Sequence, residues 1–259
     1  MKDRIIYYIF LNALKNNQID IKNKQTIIEA SSGNTGISVA FFSSVIGCPC
    51  KIVMPRNMSQ ERKDYIKFFG AELIEVEDGR FDKAIELRDQ LSEQNNWFNV
   101  NQFNNDLNVE CHYNTTGVEI IEQFKEKIPD VIISGTGTGG TIMGVSKKLK
   151  EINPNLKIVA IEPFESPVMS GGKPGLHDIQ GIGDGSKFLL DTNILDDIIL
   201  IKSEEAIKKA KDLTKQGYFI GVSAAANILA SERYSENNPN ETIITFMCDR
   251  GERYLSMTN

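Results

Sequence analysis

From residue 27 onward, short apolar runs of strand length alternate with longer runs of helix length, and this alternation limits the fold more than any other feature. Strand-like runs cover 27–29, 51–54, 73–76, 131–133, 157–162, 197–201 and 242–246. Helix-like runs cover 34–46, 59–69 (with Ser59 as cap), 81–93, 116–127, 142–152, 203–216 and 223–235. Strand–helix alternation on this scale implies parallel sheets with helices on both faces. A polar stretch at 95–108, dense in Asn and Asp, interrupts the rhythm and reads as a crossover between two halves. Residues 163–188 are rich in Gly and Pro and read as loop. The expected organisation is α/β, with two doubly wound domains carrying parallel-type sheets. One is a smaller N-terminal domain at 1–105, the other a larger domain at 106–259. No internal repeat is visible.

The start of the chain needs separate treatment. Lys2 and Arg4 precede an apolar run, as in a signal peptide, but no small-residue cleavage site follows. Ile6, Ile9, Phe10, Ala13 and Leu14 fall at helical spacing, which predicts an amphipathic helix over 3–18. No run reaches transmembrane length. The 259 residues carry a net charge of −6, which argues against a general nucleic-acid binder. The four cysteines and two histidines show no zinc-like spacing, so no metal site is expected. Cys111 and His112 are adjacent, and sequence neighbours do not face each other as a catalytic dyad must. Free thiols without a disulfide framework fit a reducing cytoplasm.

Two glycine loops carry the chemistry. The first is Glu29-Ala30-Ser31-Ser32-Gly33-Asn34-Thr35-Gly36, set between a strand and a helix. Gly33 and Gly36 permit close backbone approach, and the hydroxyl and amide side chains lie beside the free N–H groups of a helix start. Such a turn suits a carboxylate or a phosphate; it also suits a helix that is merely capped. The second loop is Gly135-Thr136-Gly137-Thr138-Gly139-Gly140-Thr141. Gly135, Gly137 and Gly140 match the spacing of a dinucleotide fingerprint, and Glu162 closes the next strand where a ribose-binding acid would stand. An NAD-dependent oxidoreductase is therefore one reading. Backbone N–H groups around a phosphate serve any phosphorylated ligand, however.

Ser-Gly-Asn-Thr-Gly after an apolar strand resembles the substrate-carboxylate loop of fold-type II pyridoxal-phosphate (PLP) enzymes, above all the cysteine synthase and cystathionine β-synthase family. Met54-Pro55-Arg56-Asn57-Met58-Ser59, Glu61-Arg62 and Phe69-Gly70-Ala71-Glu72-Leu73 are similar to that family as well. So are 162–168, 171–175, 179–183 and 251–256. The resemblance implies PLP in the cleft between the domains, held at its phosphate by Gly137, Thr138, Gly139, Gly140 and Thr141. It implies contact of Asn34 with the PLP 3-hydroxyl and of Ser223 with the pyridine nitrogen. A neutral serine there leaves the nitrogen unprotonated, a weaker electron sink that favours α,β-elimination. Ser223 also suits a plain helix N-cap. Ser31, Ser32, Gly33, Thr35 and Gln102 would bind the substrate carboxylate. The implied activity is β-replacement on a three-carbon amino acid through an α-aminoacrylate, with O-acetylserine and sulfide giving cysteine, by a homodimer.

Two places depart from the family pattern. The family's Schiff-base lysine stands in a Ser-x-Lys-Asp-Arg motif that opens a helix; here Met1-Lys2-Asp3-Arg4 opens the chain, which makes Lys2 the corresponding lysine. The segment that precedes it in the family is missing from the sequence, so the N-terminal domain reads as truncated. A terminal lysine ordinarily sits on a frayed, solvated turn, which suits a non-catalytic relative. The second departure is Asp184, where the family carries a small apolar residue. Asp184-Gly185 is a turn signal. A carboxylate there could also act as a catalytic base for water, turning the enzyme into a cysteine lyase that releases hydrogen sulfide and forms serine.

Overall fold

The computed structural model describes residues 1–125, 128–183 and 188–258. They form two compact units, one from Met1–Leu107 with Leu255–Met257, the other from Asn108–Tyr254.

The first unit opens with helix α1, Lys2–Lys15, followed by β1 (Ile27–Ala30), α2 (Asn34–Ile46), β2 (Cys50–Pro55), α3 (Gln60–Phe68), β3 (Glu72–Val76), α4 (Phe81–Asn95) and the short β4 (Phe98–Asn99). All strand pairs are parallel, in the order β3-β2-β1-β4. Every residue of β1 is buried, as expected of a central parallel strand covered on both faces. α1 buries Ile5, Ile6, Ile9, Phe10 and Ala13 in the core beside Val39 and Ala40 of α2 and Ile52 and Met54 of β2. Asp3 on α1 accepts a short hydrogen bond from the Ser38 hydroxyl of α2, which ties the two helix starts together. β4 lies inside the polar stretch expected to be pure crossover; two residues are too few to show a strand period, and their ladder to β1 is what makes them a strand. Ser59 stands at the N-cap of α3 without a side-chain cap hydrogen bond.

In the second unit the order is α5 (Leu107–Cys111), a π turn at His112–Thr116, α6 (Gly117–Phe124), β5 (Val131–Gly135), α7 (Gly140–Lys150), β6 (Lys157–Pro163), β7 (Asp197–Ile201), α8 (Ser203–Lys215), α9 (Val222–Asn237) and β8 (Ile243–Ile244). Its sheet is again wholly parallel, ordered β7-β6-β5-β8. The helix expected over 116–127 starts earlier, at Leu107, and is interrupted by the π turn; Lys127 lies outside the described residues. The strand order of the first unit, third-second-first-fourth, thus recurs in the second without a repeat in sequence. In such sheets the chain reverses its winding beside the first strand, and loops leaving that point form the natural ligand crevice.

Candidate functional site

In the first unit, loop 31–36 leaves β1 at this reversal point, and the loop after β4 leaves from its other side. The Ser31 hydroxyl oxygen accepts the backbone N–H groups of Gly33 at 3.0 Å and Gly36 at 2.9 Å, so Ser31 shapes the loop as well as lining it. Gly33 has φ +148°, and a Cβ there would run into the buried Arg62, whose Nη1 donates to the Ser32 carbonyl at 3.1 Å. Asn34 and Thr35 begin α2. The Thr35 hydroxyl donates to Gln102 Oε1 at 2.6 Å, and Lys2 Nζ reaches the same oxygen at 3.3 Å. Lys2 is half-buried in the first turn of α1, not a frayed terminal residue, because the core face of α1 and the Asp3–Ser38 bond fix that turn.

Gln102 is held from below. Asn101 adopts φ +51°, a left-handed conformation that turns the chain. The Gln102 N–H donates to Glu29 Oε2 at 3.0 Å, and its side-chain amide donates to the Ala30 carbonyl at 3.2 Å. Glu29 is fully buried in β1; its Oε1 accepts Arg88 Nη1 at 2.9 Å and the Ala30 N–H at 2.7 Å. Burial pushes the Glu29 carboxyl up, while Arg88 and the N–H donors pull it back. Burial also pushes the nearby Cys50 thiol up to about 12, which leaves it an inert core residue.

The second unit supplies the other glycine loop, again between a first strand (β5) and a helix (α7). Gly139 is the N-cap of α7 with φ +87°, so no side chain competes for the helix start. Thr138 Oγ1 accepts Asn108 Nδ2 at 3.0 Å and the Gly140 N–H at 3.3 Å. The Thr141 hydroxyl lies 3.1 Å from Nε2 of the buried His112, whose Nδ1 is 2.8 Å from the Thr116 hydroxyl. The π turn sets these His and Thr residues under the loop; such turns recur at functional sites. Gly137 is half-buried. Ser223 is 4% exposed in the first turn of α9. Asn227, one turn further on, accepts the Gly135 N–H at 2.8 Å and donates to the Phe246 carbonyl at 2.7 Å, joining the loops after β5 and β8.

The first unit therefore brings Lys2, Thr35 and Gln102 together beside Ser31, Ser32, Gly33 and Asn34. The second carries residues 137–141 and Ser223. Asp184 lies outside the described residues. Glu162 cannot serve a ribose: its carboxylate accepts the N–H groups of Met169 at 2.7 Å and Ser170 at 2.9 Å, and the Ser170 hydroxyl as well. The dinucleotide reading fails on that occupied acid. Cys111 pairs with Thr115, and the His112 ring nitrogens lie on the Thr116 and Thr141 hydroxyls. Among the described residues no group of three His, Cys, Asp or Glu could hold a metal, and no helix is long and apolar enough to cross a membrane. Glu29 and Arg62 lie within the sequence motifs without a role evident there, and Arg88 lies outside them. A signal existed: Arg88 shares the buried helical face of Phe81 and Ala84, and Glu29 is a charge inside an apolar strand.

These residues fit PLP. The uncapped start of α7, with the left-handed Gly139 and the flanking Thr138 and Thr141, makes a cradle for a phosphate. The first unit offers the amine of a half-buried lysine, and the second the neutral hydroxyl of the buried Ser223. Two parallel α/β units, each with a glycine loop at its chain reversal, define the class as fold-type II PLP enzymes. The family model described as pyridoxal-phosphate dependent enzyme matches residues 1–249, and the chain belongs to that family. It is 41% identical to a cysteine synthase of Staphylococcus aureus over 99% of this chain and 83% of the relative. A hydrogen sulfide-producing enzyme of Fusobacterium nucleatum is 37% identical with TM-score 0.92, over 98% of this chain and 87% of that one. A second such enzyme, solved as an aspartate-to-asparagine variant with an α-aminoacrylate intermediate, is 35% identical with TM-score 0.94, over 99% of this chain and 79% of that one.

Proposed function

We propose that this chain catalyses β-replacement on a three-carbon amino acid, exchanging the acetoxy group of O-acetylserine for sulfide to give cysteine and acetate. The observation that carries the reading is the convergence of Lys2 Nζ and the Thr35 hydroxyl on Gln102 Oε1. It sets an amine base beside the group suited to a substrate carboxylate. PLP, when bound, withdraws electrons from the substrate Cα. The residues do the rest. Loop 31–35 and Gln102 hold the carboxylate and so fix which face of Cα meets Lys2. Lys2 Nζ takes the Cα proton and returns it once the nucleophile has added at Cβ. Gly137, Thr138, Gly139, Gly140 and Thr141 hold the phosphate, and Asn34 the ring hydroxyl. Ser223 keeps its proton on Oγ, so the ring nitrogen receives a hydrogen bond and no full positive charge.

A second direction is favoured by Asp184 and by the two hydrogen sulfide-producing relatives. With cysteine as substrate and water as nucleophile the products are hydrogen sulfide and serine. Sulfide is the better nucleophile, and water competes only if a base takes its proton during attack; such help is typically worth about 10²–10⁴-fold. Asp184 is the proposed base. The proposal extends to a homodimer in a reducing cytoplasm, which four free cysteines fit.

The test supplies the PLP-loaded protein with O-acetylserine plus sulfide in one vessel and cysteine alone in another, and measures cysteine, serine and hydrogen sulfide. Rapid cysteine formation is expected from the first. Serine formation from the second should fall on Asp184→Ala while the release of sulfide in the first turnover persists. A protein that takes up PLP yet turns over neither mixture overturns the reading; unchanged serine formation in the variant removes Asp184 from it.

A further inference from the structure

A carboxylate at the centre of a parallel sheet is costly, and an apolar residue would serve the strand more cheaply. Glu29 is nonetheless fully buried in β1, between apolar neighbours Ile28 and Ala30, with the equally buried Arg88 as its counter-ion. Its hydrogen bonds show what it does locally. One oxygen is taken by Arg88 and the Ala30 N–H; the other accepts the N–H of Gln102, immediately after the left-handed Asn101. Gln102 is the residue on which Thr35 and Lys2 converge, and its amide also leans on the Ala30 carbonyl. β1 thus holds Gln102 by main chain and side chain at once, through adjacent residues.

We propose that Glu29, braced by Arg88, is the positioning residue that sets Gln102, and through it the substrate carboxylate and the Lys2 amine, in one register. This rests on the β-replacement reading for its kinetic consequence but not for its structural one. The acceptor oxygen aimed at the Gln102 N–H is what matters, and the charge of the pair is the means of keeping that oxygen in place inside the sheet. The ion pair is therefore replaceable provided an acceptor remains.

Two double variants separate these roles. Glu29→Gln with Arg88→Met removes both charges but leaves an amide oxygen for Gln102; Glu29→Leu with Arg88→Met removes both charges and the acceptor. Removing both members avoids a stranded buried charge, so both variants are expected to fold. Phosphate content after PLP loading checks that the second unit is intact, and amide hydrogen exchange reads the Gln102 N–H directly. In the Leu variant, exchange at Gln102 should rise by about tenfold or more without a matching rise across β1, and the KM for the amino acid should rise by a similar factor while kcat falls less. The Gln variant should hold both within about threefold of wild type. Equal behaviour of the two variants, or loss of PLP in parallel with activity, would show a merely structural ion pair and overturn the proposal. So would raised exchange with an unchanged KM. If the wild-type protein turns over nothing, the β-replacement reading fails, and the exchange contrast between the variants still decides whether Glu29 sets Gln102.

Discussion

Gly139→Ala gives a quantitative test of the phosphate cradle. Gly139 sits at φ +87°, and a Cβ there would lie 2.8 Å from both the backbone nitrogen and the Cβ of Leu190 and 3.0 Å from its Cα. An L-residue in the left-handed region costs roughly 1–2 kcal/mol. Pressing a methyl group against backbone that cannot swing aside costs roughly 1–3 kcal/mol more. The total of about 2–5 kcal/mol has two places to appear. If the ligand-free loop relaxes, it must be restored on binding, and PLP affinity falls by about 30-fold to a few thousandfold. If the loop cannot relax, the cost lowers the melting temperature instead, by about 2–4 °C per kcal/mol for a chain of this size. PLP titration and thermal unfolding of the cofactor-free protein, done side by side, measure both shares, and their sum should match. Gly47→Ala is the control: φ is +72° but nothing lies within 4 Å, so only the conformational cost remains and PLP affinity should not move. A Gly139→Ala protein that binds PLP within about threefold of wild type and also melts with it would refute the argument from crowding.

Lys2→Ala should abolish the borohydride-fixed adduct of PLP on the protein and reduce turnover by about 10³-fold or more, while PLP still binds reversibly; mass spectrometry of the reduced protein locates the adduct, and labelling at another lysine would exclude Lys2. Ser223→Asp should cost turnover more than PLP affinity, since it changes the charge at the ring nitrogen and not the phosphate grip; steady-state kinetics beside a PLP titration separates the two. Hydrogen bonds from Arg80 hold the Asp82 carboxyl at about 2, below its usual 3.8. A lowered carboxyl contributes stability that is present above the unfolded value and lost as pH falls through the folded one. The pair is exposed, so Arg80→Ala should lower stability only slightly at neutral pH. Wild type and variant should converge in thermal unfolding as pH drops from about 4 to about 2.

Much of the fold is legible in the sequence because central parallel strands are continuous apolar runs. Ile27, Ile28, Val131, Ile132 and Ile133 declare themselves, and each is wholly buried. Strands made by pairing alone do not. Phe98–Asn99 has no period of its own and exists because β1 offers it a ladder. The glycine loops were legible because their backbone demands show in residue type, as at Gly33 and Gly139. What supports them was not. His112 meets Thr141 across 29 residues and Arg88 meets Glu29 across 59, and such partnerships leave no local pattern. The environment of Lys2 is less legible than its motif: position near a chain end says little about burial once a helix packs its apolar face.

Both units open their glycine loop after the first strand and flank it with the loop after the fourth, on the same strand order. The consequence is modularity. In the first unit the neighbouring loop is 100–103, with Gln102 at its centre; in the second it follows β8 and is anchored by Asn227. On the proposed reading, the substrate carboxylate and the cofactor phosphate are thus held by separate loops of separate sheets. On that reading an engineer, or a lineage, can retune the amino-acid end by editing residues 100–103 while the phosphate end passes on unaltered.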